Sequence, residues 1–158
     1  MWNDRSFEQA KEAVMVIIRE MNIADYEPVI ELWRQTENLS LRDTDSQANI
    51  EAYLQRNPGL SFVALMGDEI IGAVLVGTDG RRGYLQHLAV SIEYRGQNIG
   101  HQLVARSVDA LASLGISKTH LFVYQDNINA QGFYEKLGWF PRDEIRMYSF
   151  NSSANHNA

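Results

Sequence analysis

Apolar residues recur along the chain in short, changing periods, and those periods predict an order of elements. Val14 to Arg19 is rich in β-branched residues and reads as a first strand. Tyr26, Val29, Ile30 and Trp33 then recur at helical spacing, in a helix that Asn22 or Asp25 can cap and that runs through Thr36. After the polar connection Glu37 to Thr44, Asp45 or Ser46 caps a second helix carrying Ile50, Tyr53 and Leu54, stopped by Asn57-Pro58-Gly59. Three strands follow at Ser61 to Met66, Ile70 to Thr78 and Tyr84 to Val90, joined by Gly67-Asp68 and by the turn through Gly80 and Gly83. A helix carrying Leu103, Val104, Val108, Leu111 and Leu114 on one side ends at Gly115. Lys118 to Tyr124 reads as a strand, Asn127 to Leu137 as a helix ended by Gly138, and Glu144 to Phe150 as a last strand. The order is β-α-α-β-β-β-α-β-α-β, an α/β (α+β) arrangement in which an antiparallel meander leads into a crossover. Residues 14–150 form one domain in this reading, preceded by a polar extension, 1–13, and followed by a disordered tail, 151–158.

The junction between the third strand of the meander and the next helix is the most informative stretch. Arg95-Gly96-Gln97-Asn98-Ile99-Gly100 forms a turn into a helix start, where amides have no intrahelical partner and the helix dipole is positive. Gly96 and Gly100 let a ligand approach the backbone, Asn98 tolerates a left-handed conformation, and Arg95 adds a permanent charge. Such a turn suits phosphate. A Gly-Lys-Ser/Thr ending is missing, and so is G-x-G-x-x-G in a repeated βαβ frame, which sets aside a Walker loop and a dinucleotide fold.

Composition narrows the field. With 158 residues and a net charge of −6 the chain is not expected to be a general nucleic-acid binder, which would need a basic face, and without cysteine it has no disulfide and no thiolate zinc site. Its longest apolar runs fall short of the roughly 20 residues a membrane span needs, and no basic-then-apolar leader opens it, so a cytoplasmic protein is expected. No histidine spacing suggests a metal ligand set, so none is expected.

Two motifs in register resemble the GNAT acyltransferases, the N-acetyltransferase superfamily that uses acetyl-CoA. The first is Leu88-Ala89-Val90 followed by Arg95 to Gly100, with Asn98 standing where the family usually has a glycine. The second is Asn127, Ala130 and Phe133-Tyr134-Glu135-Lys136-Leu137-Gly138-Trp139. The resemblance covers roughly Val14 to Phe150. It implies a mixed, mostly antiparallel sheet with helices on both faces, and strands that splay apart on either side of the crossover helix to hold the pantetheine arm. It also implies a cofactor site made of Leu88, Ala89, Val90, Arg95, Gly96, Gln97, Asn98, Ile99, Gly100, His101, Asn127 and Tyr134. A bulge near the end of the Leu88-Ala89-Val90 strand would free main-chain amides to polarise the thioester carbonyl and to pair with pantetheine like an added strand, Asn127 would bond the cofactor arm, and the Tyr134 hydroxyl would serve the departing sulfur. A neutral phenol there can protonate or hydrogen-bond a thiolate as its charge develops. A set of bacterial members shares the runs Arg56-Asn57-Pro58-Gly59, Asp79 to Tyr84 and His120 to Val123.

The acceptor side is less defined. Where some members acting on peptide α-amines carry a glutamate, this chain has Phe122. Tyr84 and Gln86 would face the acceptor and His87 the opposite side, while Trp33 belongs to the early helices that shape the acceptor pocket in this superfamily. A lone histidine in a strand is more often a hydrogen-bonded core residue, so no general base is assigned. The expected partners are acetyl-CoA and an amine of a small molecule or peptide, with room for a homodimer and no role for nucleic acid or membrane. The alternative is a non-catalytic acyl-CoA sensor, supported by Phe122 and Asn98.

Overall fold

A computed structural model describes residues 15–158; the N-terminal extension and Val14 lie outside the described residues. The meander is present. Strand β1 (Val16–Glu20) pairs antiparallel with β2 (Phe62–Met66), β2 with β3 (Glu69–Thr78), and β3 with β4 (Gly83–Val90). Strand β5 (Thr119–His120) adds parallel to β4, completing a five-stranded sheet in the order β1-β2-β3-β4-β5. Four helices accompany it: α1 (Tyr26–Gln35), α2 (Gln47–Arg56), α3 (Ile99–Ser113) and α4 (Ile128–Lys136). None of them is long and apolar enough to cross a membrane.

Alternation along the strands divides the core into two layers. Val63, Ala73, Leu75 and Ala89 point toward α1 and α2, where Val29, Ile30, Trp33 and Ile50 are buried. Phe62, Ala64, Val74, Val76 and Leu85 point the other way, onto Ile99, Leu103, Val104 and Leu111 of α3. Each such fully buried side chain contributes on the order of 1.5–3 kcal/mol. The caps follow the chemistry expected of them. Asn22 and Asp25 form a reciprocal capping box on the 3₁₀ turn before α1, and the Ser46 hydroxyl accepts from Asn49 at the start of α2. Gly83 is fixed by crowding. A Cβ there would stand 2.5 Å from Leu111 Cδ1 and 2.7 Å from Thr119 Oγ1, where β4, β5 and α3 converge.

Two expectations need correction. The crossover strand, expected over 118–124, is cut to Thr119–His120, because only Gly83 and Tyr84 of β4 find partners in it. Phe122 and Tyr124 are exposed beyond it. The last strand, expected over 144–150, does not form, and Phe150 is 92% exposed. Its alternating pattern is present, but a strand needs a neighbouring ladder, and the sheet ends at a two-residue β5. Residues 151–158 have no helix or strand either. They close on the start of the second helical layer, with the Asn155 and Asn157 side-chain amides donating to the two Asp43 carboxylate oxygens, each at 2.7 Å.

Candidate active site

The turn between β4 and α3 has the geometry its sequence predicts. Gly96 has φ +78° and Asn98 φ +69°, a left-handed residue at the N-cap of α3 whose side chain makes no capping bond. The first helical bond runs from Gln102 N–H to the Asn98 carbonyl, so the amides of Ile99, Gly100 and His101 precede the helix's own ladder. Gln97 and His101 are exposed. Gly100 also has a packing role. A Cβ there would stand 3.3 Å from Phe133 Cζ and 3.8 Å from Val90 Cγ2, so its smallness lets α4 and the end of β4 close on the start of α3. Arg95 folds back over this turn. Its Nε donates to the Val90 carbonyl at 3.1 Å, and its two Nη atoms donate to the Glu37 carboxylate at 2.6 and 3.1 Å. That guanidinium holds Glu37 below the usual carboxylate range. Glu37, which the sequence offers only as part of a polar connection, thus ties the loop after α1 to the turn before α3.

Helix α4 brings the second motif beside the first. Asn127 Oδ1 accepts from Ala130 N–H at 3.2 Å and caps the helix, leaving its amide donors without a partner among the described residues. Tyr134 stands edge-on between Phe133, at 5.1 Å between ring centroids, and Trp139, at 5.7 Å. Burial pushes its phenol up to about 12, so the hydroxyl stays neutral through the working range of pH. It has no hydrogen-bond partner among the described residues. Leu88 and Val90 pack on the same core layer as Phe133 and Tyr134.

The third part of the site was misplaced by simple alternation. The β3–β4 register slips between Ala73, opposite Ala89, and Leu75, opposite Gln86, so that His87 and Leu88 together face one residue. This is a bulge, and His87 carries it with φ +51°, a conformation that costs a non-glycine residue about 1–3 kcal/mol. The extra residue turns the His87 ring onto the α1–α2 face, the face of Gln86 and Tyr84, not the opposite side as expected. There His87 Nε2 lies 2.8 Å from Asp45 Oδ1, and the ring packs 4.9 Å from Trp33. Asp45, expected only as a helix cap, is held on three sides. Arg42 N–H donates to its Oδ2 at 2.9 Å, and the Tyr26 hydroxyl donates to its carbonyl at 2.7 Å. Burial works against its charge, yet the bonds from His87 and Arg42 keep its carboxyl below the usual range.

Among the acceptor-side residues, Tyr84 lies with its ring 6.0 Å from His120 and its hydroxyl 3.5 Å from Asp79 Oδ2. Gln86 is half-buried with no side-chain bond among the described residues. Trp33 is not a wall of an open pocket. It is fully buried, its indole N–H lacks a partner among the described residues, and its ring packs against His87.

Three comparisons bear on this arrangement. The family model described as "Acetyltransferase (GNAT) family" matches residues 26–139. An acetyltransferase of Pectobacterium atrosepticum is 38% identical over 123 residues, covering 78% of this chain and 86% of its own. The PaiA N-acetyltransferase of Thermoplasma acidophilum, solved with coenzyme A, superposes with a TM-score of 0.72 at 22% identity, over 82% of this chain and 92% of that one. AAC(6')-Iy, solved with the bisubstrate analogue CoA-S-monomethyl-acetylneamine, gives a TM-score of 0.71 at 21% identity, over 86% and 98%. With the family model spanning most of the chain and the two motifs meeting at Gly100 and Phe133, the protein belongs to the GNAT family and is an acetyltransferase.

Proposed function

We propose that the protein transfers the acetyl group of acetyl-CoA directly to a primary amine, of a small molecule or of a peptide, in a ternary complex. The observation that carries this reading is the half-open edge of β4. On its far side β4 pairs with β5 only at Gly83 and Tyr84, so from Leu85 to Val90 that side of the main chain meets no strand. An arm bearing amide groups can bond there as an added strand. The α3 start, with amides ahead of its ladder, packs on the end of β4 through Gly100 and Val90 and on Tyr134 through Phe133, so amides that suit phosphate and a neutral hydroxyl that suits a thioester adjoin that edge. The amine attacks the carbonyl carbon, main-chain amides at the bulge hold the charge that develops on oxygen, and Tyr134 donates to the departing sulfur. In this reading Arg95 and the Asn127 amide serve the cofactor, and Tyr84 and Gln86 the acceptor. On this reading the chain acts in the cytoplasm, where acetyl-CoA is available.

Two solution measurements test it. Acetyl-CoA should raise Tm, since a ligand that binds only the native state stabilises it by mass action. NADH should not, and ATP should do so less. Thiol release from acetyl-CoA should then appear with at least one amine from a panel of polyamines, amino acids, aminoglycosides and peptides. Equal Tm shifts from all three nucleotides would reduce the turn to a generic anion site and remove the proposal.

A further inference from the structure

The bulge in β4 holds a titratable pair that the transfer scheme above does not use. His87 Nε2 meets Asp45 Oδ1 at 2.8 Å, and Asp45, with its side chain 7% exposed, is fixed by the Arg42 amide and by Tyr26. An ionised carboxylate only accepts hydrogen bonds, so Nε2 must carry the hydrogen and the lone pair of the neutral ring is left on Nδ1. Nδ1 has no partner among the described residues, and the side chain is 19% exposed, hence reachable. Trp33 packs against the ring, tilted by 57° at 4.9 Å between centroids. A histidine serving only to anchor the loop before α2 would need neither the left-handed backbone nor a bare nitrogen. The bulge also provides both things the chemistry needs at one residue, since it releases main-chain amides and turns the ring onto the acceptor face.

We propose that His87 is the general base of the reaction, with Asp45 as its positioning residue, an assignment that rests on the acetyltransferase reading. Nδ1 takes one proton from the attacking amine nitrogen as the C–N bond forms. The C–S bond then breaks with its electron pair on sulfur, and the thiolate, hydrogen-bonded by Tyr134, is protonated from solvent. His87 returns its proton to solvent, so amine and acetyl-CoA give amide and free CoA with no net change in protons. The carboxylate missing at Phe122 is then no loss, because the base comes from the neighbouring strand.

The test uses the full-length chain and the best acceptor among spermidine, kanamycin and a peptide with a free α-amine. Asparagine tolerates left-handed backbone but is too short to reach Asp45 from position 87, so His87→Asn should lower Tm by a few degrees while keeping the acetyl-CoA dissociation constant. Its kcat should fall on the order of 10²-fold or more, the usual contribution of general base catalysis. Imidazole should restore part of the turnover of His87→Gly. Nitrogen-15 NMR of the histidine rings should show His87 in the Nε2–H form, and Asp45→Asn should disturb that form and lower kcat with little effect on KM. A kcat in His87→Asn within about twofold of the parent, or an Nδ1–H ring, overturns the assignment. If acetyl-CoA binds but none of these amines is acetylated, the ring tautomer alone decides. Failure of acetyl-CoA to shift Tm and of every amine to release thiol would instead remove the transferase reading, and the base with it.

Discussion

Replacing Tyr134 by phenylalanine isolates one hydroxyl, and the size of its effect can be worked from its surroundings. The phenol is raised to about 12, while a thiol ordinarily titrates near 8.5. Handing a proton outright from this phenol to a thiolate is therefore uphill by about 3.5 powers of ten, or ~5 kcal/mol. In the proposed role Tyr134 would therefore act by donating a hydrogen bond to sulfur as charge builds there. A hydrogen bond to a charged group contributes about 1.5–3 kcal/mol, which corresponds to a roughly 10- to 150-fold loss of kcat in Tyr134→Phe. The packing against Phe133 and Trp139 survives the change, and no partner among the described residues is orphaned. Tm should accordingly hold or rise slightly. The assay is steady-state thiol release across pH 6 to 9, with acetyl-CoA affinity measured separately by calorimetry. The ratio of parent to variant kcat should be the same at every pH in that range, because the hydroxyl stays protonated throughout. An unchanged kcat would remove the role. A ratio that bends within the range would show the phenol titrating there, and with it a proton transfer in place of a hydrogen bond.

Other outcomes follow from the ion pairs and the turn. Asp25 is held below its ordinary pKa, burial being outweighed by the paired bonds from Arg19, both 2.8 Å, and by the Asn22 amide. A depressed carboxyl stabilises the fold above its unfolded pKa and loses that effect as pH falls, so Asp25→Asn should be less stable than the parent at pH 7 by about 1–3 kcal/mol. The gap should narrow in urea titrations below about pH 4. Asn98→Gly should bind acetyl-CoA as tightly or more tightly in calorimetry, since glycine holds φ +69° without strain and the side chain caps nothing; severalfold weaker binding would make Asn98 a direct contact. Glu37→Gln frees Arg95 from a carboxylate and should strengthen acetyl-CoA binding severalfold at low salt, less so at high salt.

How much of this could be read from residues alone depends on the range of the interaction concerned. Local signals served well. The left-handed Asn98 and the terminators Gly115 and Gly138, with φ of +82° and +92°, are consequences of backbone sterics at single positions. The resemblance implied a bulge near the end of this strand but not that His87 carries it, and alternation, which assumes an unbroken ladder, therefore put His87 on the wrong face. Asp45 was equally hidden. It precedes a helix and reads as a cap, but Ser46 does the capping, and the true partner lies 42 positions away in the chain. The segment 144–150 failed for another reason. Alternation reports that a segment could lie half-buried on a sheet, and says nothing about whether an edge is there to receive it.

The unpaired side of β4 also has a bearing on how the protein survives between turnovers. A row of main-chain donors and acceptors without a strand beside it is a template for any extended chain, including another copy of itself. Here it adjoins Phe122 and Tyr124, 66% and 56% exposed. Natural edges of this kind are blunted by charge or covered, and in the proposed complex the cofactor arm would cover this one. The pool of acetyl-CoA would then act as a chaperone as well as a substrate, and depletion of that pool would turn the edge toward self-association.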